Sequence, residues 1–177
     1  MSIPYRLTAE RVRELLDYNP ETGEFSWKEE KRAGFKGSVV MHKKGSKAGT
    51  KRTDGRTVIR VDARLYMAYR LAWLWMTGEW PRFEIDHIDG DSTNDRFANL
   101  RDVSRKLNQE NLRRPQKSKG GSKYLGVYAN KFGRRKPWRA AISTNGKQKY
   151  LGEFLTEEEA YQAYLLAKRQ LHEGCTL

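Results

Sequence analysis

The chain has 177 residues, 37% of them hydrophobic, which is enough for one medium domain or two small ones. Its 35 Lys and Arg against 22 Asp and Glu give a formal net charge of +13, which favours a polyanionic partner because clustered cations release counterions from phosphates. Cys175 is the single cysteine, which excludes an intrachain disulfide framework and a multi-cysteine zinc site. A solvated basic surface without a partner is the alternative interpretation of the charge.

The first residues, MSIPYRLTAERVREL, lack the apolar stretch of a secretory signal. No run in the chain approaches the roughly 20 apolar residues of a membrane span. We therefore expect a soluble, cytoplasmic protein with no membrane partner.

The first half of the chain predicts a scaffold of short elements. Thr8 is expected to cap a helix that carries Val12, Leu15 and Leu16 on one face and ends at residues 18–20, Tyr-Asn-Pro. Residues 29–56 are rich in Lys, Arg and Gly and predict an irregular or weakly stranded basic segment, a candidate for lying along DNA. Residues 57–61 predict a strand. A helix that ends at Gly78 is then predicted from the spacing of Leu65, Tyr69, Ala72, Trp73 and Met76.

Residues 83–114, FEIDHIDGDSTNDRFANLRDVSRKLNQENLRR, predict a β-β-α finger. Residues 84–88 form the first predicted strand, GDSTND provides the turn, and residues 97–103 form the second strand. Ser104 is expected to cap a helix that runs to about Arg113.

Four polar residues of this finger are candidates for phosphodiester hydrolysis, which needs a base for the attacking water and a cation to neutralise developing charge. The His87 imidazole can serve as the base. Asp86 and Asn108 supply the few protein oxygens that Mg²⁺ prefers when water and phosphate complete its shell. The alternative for a His beside an Asp is a hydrogen-bonded surface pair. His42 and His172 have no companion ligands nearby in sequence and are interpreted as ordinary surface residues.

The motifs YRLAW, IDHIDGD, NDRFANLR and LNQENL, within residues 66–114, resemble the HNH nuclease family, and in particular phage-encoded homing endonucleases whose last motif residue is asparagine. The resemblance implies a ββα-metal (His-Me finger) fold in which His87 is the general base. It implies that Asp86 and Asn108 bind a divalent metal, expected to be Mg²⁺ with Mn²⁺ as a substitute and no zinc. It further implies that Asn99 pins the loop and keeps His87 oriented, with Asn94 and Arg96 shaping the loop. Tyr69 departs from the family, since many relatives carry histidine there.

Residues 113–123, RRPQKSKGGSK, contain five Lys or Arg and no acidic residue, which predicts a flexible tether that also contacts phosphates. Three strands are predicted after it at 125–128, 138–143 and 148–154, with Asn145-Gly146 as a hairpin turn. Thr156 and Glu159 form a capping box for a final helix. The face of this helix that is expected to pack on the sheet consists of Ala160, Ala163, Tyr164, Ala167 and Leu171.

The fragments YLGVY, WRAAI, KYLGEF and TEEEAYQAYLLAKR resemble the plant ethylene-response-factor, or APETALA-two, DNA-binding domain, a module also appended to phage HNH nucleases. The resemblance implies a three-stranded sheet that enters the major groove of DNA. The candidate DNA-contacting residues are Tyr128, Lys131, Arg134, Arg135, Trp138, Arg139, Lys147 and Lys149. Tyr128 and Ser143 stand where plant relatives carry arginine, so the recognised base sequence does not carry over. For Trp138 and Tyr150, a place in the core is the alternative.

The sequence thus predicts an α+β protein of two domains, an HNH domain at 1–112 and a DNA-binding domain at 123–173, joined by the basic linker 113–122. The expected activity is metal-dependent nicking of one strand of double-stranded DNA per bound monomer, in the host cytoplasm if the protein is phage-encoded. The oligomeric state is left open, with a monomer as one option. The alternatives are a DNA-binding regulator with an inactive finger and an RNA-directed nuclease.

Overall fold

The computed structural model describes residues 7–33, 39–113, 115, 122–130 and 135–177. The chain divides into two compact units, Met1–Val103 and Ser104–Leu177, and each is treated by itself below. Helices and small antiparallel sheets occur in both units, which confirms the mixed α and β composition expected from the sequence. Within the described residues, no helix is both long enough and apolar enough to span a membrane.

The first unit begins with helix α1 (Ala9–Leu15), and the Thr8 side chain caps it by accepting a hydrogen bond from the Arg11 N–H at 3.3 Å. The helix ends earlier than the sequence predicts. Strand β1 (Leu16–Asn19) follows at once and pairs with β2 (Glu24–Trp27). These residues form a strand and not a last helical turn because Leu16 and Tyr18, two positions apart, are both buried in the core, as alternate residues of a strand can be.

The basic segment contains short strands: β3 (Lys31–Ala33) pairs with β4 (Val39–His42), and β5 (Thr50–Lys51) lies beside β6 (Thr57–Val61). Strand β7 (Arg64–Met67) completes the sheet of β5 and β6. Leu65 therefore lies on β7, 59% exposed, and the prediction that it begins the helix is wrong. The two-residue turn before β7, with positive φ at Asp62 and Ala63, favours the hairpin over an early helix start.

Helix α2 (Ala68–Thr77) forms the centre of the first core and ends at Gly78, which adopts the left-handed conformation with φ 83° as predicted. Its Leu71, Ala72 and Leu74 are almost fully buried. They pack in one cluster with the buried residues of α1, β1, β2 and β6 and with Ile85 and Leu100 of the next hairpin. Burial of a leucine of this kind contributes about 1.5–3 kcal/mol.

Strands β8 (Glu84–His87) and β9 (Leu100–Val103) form that antiparallel hairpin, with His87 opposite Leu100. The second strand is shorter than predicted, because Phe97–Asn99 forms a 3₁₀ turn before it. The loop between β8 and this turn carries the polar residues of the candidate site.

The second unit begins with α3 (Arg105–Asn111), whose cap is the Ser104 side chain, as predicted. Strands β10 (Val127–Ala129), β11 (Trp138–Thr144) and β12 (Lys147–Phe154) form an antiparallel sheet in that order. Asn145 and Gly146 make the β11–β12 turn with φ of 50° and 75°. Helix α4 (Glu157–Leu171), with the predicted capping box at Thr156, packs on the sheet.

Two boundaries in this unit differ from the sequence prediction. Strand β10 starts at Val127 because Gly126, with φ 74°, lies against the Tyr164 ring, where a Cβ would come within 2.0 Å of Cδ2. The sequence predicts a first domain that reaches residue 112. The division instead falls before Ser104, so α3 belongs by its packing to the C-terminal unit.

Candidate active site

His87 ends strand β8 and is buried in the first unit. Its Nε2 lies 3.0 Å from Oδ1 of Asp95, and the two side chains are only 8% and 6% exposed. The Tyr69 ring meets the imidazole edge-on, with 5.3 Å between ring centroids. The two atoms are within hydrogen-bond distance, and which of them donates depends on the tautomer of the imidazole.

The position of Asp95 is set by the first hairpin of the unit. Tyr18 on β1 donates its phenol hydrogen to the main-chain oxygen of Asp95 at 2.7 Å. Burial, and then the Asp95 carboxylate, raises the pKa of Tyr18, so the phenol is neutral and keeps the proton that it donates. Gly23 packs against the same peptide, where an added Cβ would lie 2.5 Å from the Asp95 carbonyl carbon. Residues far away in sequence therefore hold the partner of His87.

Asp86 precedes His87 on β8, and its cross-strand partner on β9 is Arg101. The Arg101 guanidinium donates to Oδ2 of Asp86 through Nε at 2.9 Å and through Nη2 at 2.7 Å. The Asp86 side chain is 7% exposed. A buried carboxylate is tolerated only where its charge is compensated, and Arg101 provides that compensation.

Asn99 crosslinks the loop between the two strands. Its Oδ1 accepts from the Asp89 N–H at 2.9 Å, and its Nδ2 donates to the main-chain oxygen of Asn94 at 2.8 Å and to Asp89 Oδ1 at 3.0 Å. Its own carbonyl accepts from the Ile88 N–H at 2.8 Å. One amide side chain thus connects the residue two places after His87 with the residue just before Asp95.

Asp89 is the centre of the same network. Burial acts to raise the pKa of Asp89, but hydrogen bonds from the Asp91 N–H and from the amides of Asn94 and Asn99 outweigh it, and the pKa is lowered. Asp89 therefore accepts, as a carboxylate, the hydrogen bonds that connect the two sides of the loop. Asn94, which donates to Asp89 at 2.6 Å, lies in the loop as the sequence predicted, and the Arg96 N–H is 3.5 Å from Asn94 Oδ1.

Asn108 lies on α3 in the second unit, half-buried, and its N–H donates to the Ser104 carbonyl at 3.0 Å. In the part of the chain that the structure describes, no three His, Cys, Asp or Glu side chains cluster as a metal-binding group. The two oxygen donors predicted from the sequence lie in different units, Asp86 in the first and Asn108 in the second. A carboxylate and an amide are oxygen ligands of the kind that Mg²⁺ uses, with water and phosphate in the rest of its shell.

Two of the predicted DNA contacts, Tyr128 and Arg139, are cross-strand partners in the sheet of the second unit. Their neighbours Val127 and Ala140 pack in the core with α4, so by strand alternation Tyr128 and Arg139 lie on the opposite face. The Arg139 guanidinium carbon is 5.6 Å from the centroid of the Tyr128 ring. Both residues are exposed, as is Tyr150, which is 59% exposed and hence outside the core.

The other residues predicted to contact DNA do not share one environment. Trp138 packs, partly buried, against the core between sheet and α4, in agreement with its core alternative. Lys147 and Lys149 are exposed near the β11–β12 turn, and Lys149 pairs with the core residue Ile142. Arg135 is exposed before β11, and Lys131 and Arg134 lie outside the described residues. The tether is described only in part, and its Arg113 donates to Thr176 Oγ1 at 2.9 Å.

Sequence reasoning missed Asp95 and Arg101 as partners of the two candidate catalytic residues. Arg101 had a usable signal, because pairing the predicted strands across the loop places it opposite Asp86. Asp95 lies in irregular chain, where no periodicity predicts which way its side chain points.

Comparison with known proteins adds a family similarity to this geometry. Residues 66–110, about a quarter of the chain, match the model of the HNH endonuclease family. "Protein 3.8" of Escherichia phage T7 is 36% identical over 77 residues, which are 43% of this chain and 60% of that protein. The match thus spans less than two thirds of that relative. No solved structure matches the chain. The matched segment is similar to HNH endonucleases, and it includes His87, Asp95 and Asn108.

Proposed function

We propose that this chain is a metal-dependent DNA endonuclease, phage-encoded and of the homing type, with its chemistry in the finger at 83–114. The observation that carries the proposal is the buried pair of His87 and Asp95, 3.0 Å apart, inside a segment similar to HNH endonucleases. A buried imidazole whose Nε2 is fixed by a carboxylate has the orientation that a general base needs.

In the proposed reaction a water molecule attacks the phosphorus while its proton passes to the imidazole of His87. The bond from phosphorus to the 3′ oxygen breaks and the leaving oxygen takes a proton from solvent water, so the products are a 3′-hydroxyl and a 5′-phosphate. Asp95 is proposed to stabilise the imidazolium that forms, because its carboxylate lies 3.0 Å from Nε2. Tyr69 borders the ring and limits its rotation.

Asp86 and Asn108 are the proposed ligands of a divalent cation, Mg²⁺ or Mn²⁺. A bound cation would neutralise the charge that grows on the phosphate and on the leaving oxygen. Arg101 fixes the Asp86 carboxylate through Oδ2, so this ligand does not have to be ordered when the metal binds.

Asn99 is proposed to act as a positioning residue for the base. Its side chain holds Asn94, and the next residue along the chain is Asp95. It also holds the main chain at Asp89, two residues after His87. The loop is therefore fixed on both sides of the His87–Asp95 contact.

The C-terminal unit is proposed to bind double-stranded DNA through the sheet face opposite α4. This proposal is supported by the exposed pair Tyr128 and Arg139, by the exposed Tyr150, and by the net charge of +13. An aromatic ring with a stacked guanidinium offers both base contact and phosphate contact.

One chain holds one proposed base, so we expect a bound monomer to nick one strand. The remaining histidines are engaged elsewhere: His42 stacks on Trp27 with 3.7 Å between ring centroids, and His172 Nε2 lies 2.8 Å from the Ser143 carbonyl. A double-strand break then requires two molecules.

The test is nicking of supercoiled plasmid with Mg²⁺, with and without chelator, by wild type, His87→Ala and the matched histidine control His42→Ala. Loss of a general base lowers the rate by about 10²–10⁴-fold, so His87→Ala is expected to lose most nicking while DNA affinity stays nearly unchanged. Chelator is expected to stop wild type and His42→Ala alike.

Four outcomes would contradict the proposal. His87→Ala within about threefold of wild type would remove its role as base. Binding without any nicking in Mg²⁺ or Mn²⁺ would favour a DNA-binding regulator, and faster cleavage of a matched RNA duplex would favour an RNA-directed nuclease. Linear plasmid without a nicked intermediate at the lowest enzyme concentration would contradict single-strand nicking.

A further inference from the structure

Helix α3, which carries Asn108, is too short to be stable by itself. It has seven residues, whereas isolated helices below about 12–15 residues are marginal in water. Two consecutive polar side chains at its end are buried in the second unit, Glu110 at 7% exposure and Asn111 at 3%. Buried polar groups of this kind need specific partners.

Glu110 lies 3.9 Å from Lys106 on its own helix, and both buried side chains also bond residues 174–176, which we call the C-terminal clamp. The Gly174 N–H donates to Glu110 Oε2 at 3.0 Å, and Thr176 Oγ1 donates to Asn111 Oδ1 at 2.6 Å. Arg113, just after α3, donates through Nη2 to Thr176 Oγ1 at 2.9 Å. The clamp therefore contacts three positions in and after the helix.

Gly174 also packs closely against the main chain of α3. A Cβ at this position would lie 2.2 Å from the Leu107 carbonyl oxygen and 3.0 Å from Glu110 Cβ. The obstacle at 2.2 Å is main chain, which cannot rotate away as a side chain can. Even an alanine would push the clamp and α3 apart.

Lys168 of α4 holds the end of the same helix. Its Nζ donates to the Leu112 carbonyl, and the residue is 1% exposed. A cation at the C-terminal end of a helix is favourable because the unpaired carbonyls there carry partial negative charge.

Helix α3 and the sheet face a common space within the second unit. A cleft of about 390 Å³ is lined by Lys106 and Gln109 of α3 and by Tyr128 and Ser143 of the sheet. The helix that carries Asn108 is thus next to the surface that we propose contacts DNA.

We propose that the C-terminal clamp is a positioning element of the nuclease site, which holds α3 and thereby fixes Asn108 relative to the DNA-binding sheet. The inference rests on the proposed function, in which Asn108 is a metal ligand. A ligand on a loosened helix has to be ordered when the metal binds, so loss of the clamp weakens metal binding more than DNA binding.

The test uses the full chain with Gly174→Ala, Glu110→Leu, the conservative Glu110→Gln, and Glu173→Ala as a control at an exposed neighbouring residue. Hydrogen exchange at α3 amides is expected to be about tenfold faster or more in Gly174→Ala and Glu110→Leu, because a buried partner is lost. Amides of β11 and β12 should be unchanged. Glu110→Gln keeps an acceptor for the Gly174 N–H and should match wild type.

In nicking assays, the same two variants are expected to need about tenfold more Mg²⁺ for half-maximal rate, with unchanged DNA affinity in chelator. A partly unfolded protein would instead lose rate equally at every Mg²⁺ concentration. If hydrogen exchange at α3 amides is unchanged in the two variants, the clamp does not hold the helix. If exchange is faster but the Mg²⁺ concentration for half-maximal nicking does not shift, the clamp does not position the metal ligand. A wild type that does not nick overturns the proposed function, and faster α3 exchange in the variants then identifies the clamp as purely structural.

Discussion

Replacement of Asp95 by alanine tests the link between His87 and its buried partner. Asp95→Ala removes the carboxylate 3.0 Å from Nε2 and leaves His87 in place. Nε2 then loses its partner in a site where both side chains are less than 10% exposed. The imidazole loses a contact that orients it, and in the proposed reaction the imidazolium loses its counter-charge.

The expected magnitude follows from the burial of this pair. A hydrogen bond to a charged group contributes about 1.5–3 kcal/mol. Since about 1.4 kcal/mol corresponds to tenfold in rate, Asp95→Ala is expected to slow nicking by roughly 10- to 100-fold. That is the range typical of partners that orient a functional histidine. DNA affinity should change little, because Asp95 is only 5% exposed.

The assay compares single-turnover nicking by wild type, Asp95→Ala, His87→Ala and the double variant, with the exposed Asp17→Ala as a matched control. If Asp95 acts only through His87, the double variant is no slower than His87→Ala. If the rate of the double variant is reduced by the product of the two single-variant reductions, Asp95 acts independently of His87. A rate for Asp95→Ala within about threefold of wild type would refute the reasoning outright.

Three further predictions concern the metal, the sheet and a tight turn. Asp86→Ala and Asn108→Ala should raise the Mg²⁺ concentration for half-maximal nicking, with partial rescue at high Mg²⁺ or Mn²⁺; unshifted titrations would contradict this. Arg139→Ala should lower DNA affinity and reduce the slope of log affinity against log salt by about 0.9, whereas Arg169→Ala on α4 should not. Gly23→Ala should lower the free energy of unfolding by at least about 1 kcal/mol more than Gly78→Ala does. Both glycines have positive φ, but only at Gly23 would a Cβ collide with a neighbouring backbone, so equal melting temperatures of the two variants would contradict this prediction.

The features that the sequence predicted correctly are those with local causes. Thr8, Ser104 and Thr156 cap helices through side chains that bond within three residues. Asn145-Gly146 adopts positive φ and closes its hairpin. In each case the controlling atoms are neighbours in sequence, so the residue type alone carries the information.

The features that the sequence did not predict depend on distant contacts. Leu16 and Tyr18 are compatible with the last turn of a helix, and only their pairing with β2 makes them a strand. Asp95 is directed toward His87 by Tyr18, 77 positions away, and by Gly23. No sequence period encodes such a contact, so the sequence nominates Asp86 and His87 as candidates without indicating their partners.

The largest difference between the sequence prediction and the structure concerns the C-terminal end of the finger. The segment that matches the HNH family runs to residue 110, whereas the compact units divide between Val103 and Ser104. Residues 104–110 therefore belong to the motif by sequence and to the C-terminal unit by packing. A chain truncated to residues 1–114 would keep all the candidate catalytic residues but would lose the groups that Glu110 and Asn111 contact. Because the loss of a hydrogen bond to a buried polar group destabilises a helix, a complete motif in the truncated chain does not amount to a complete site.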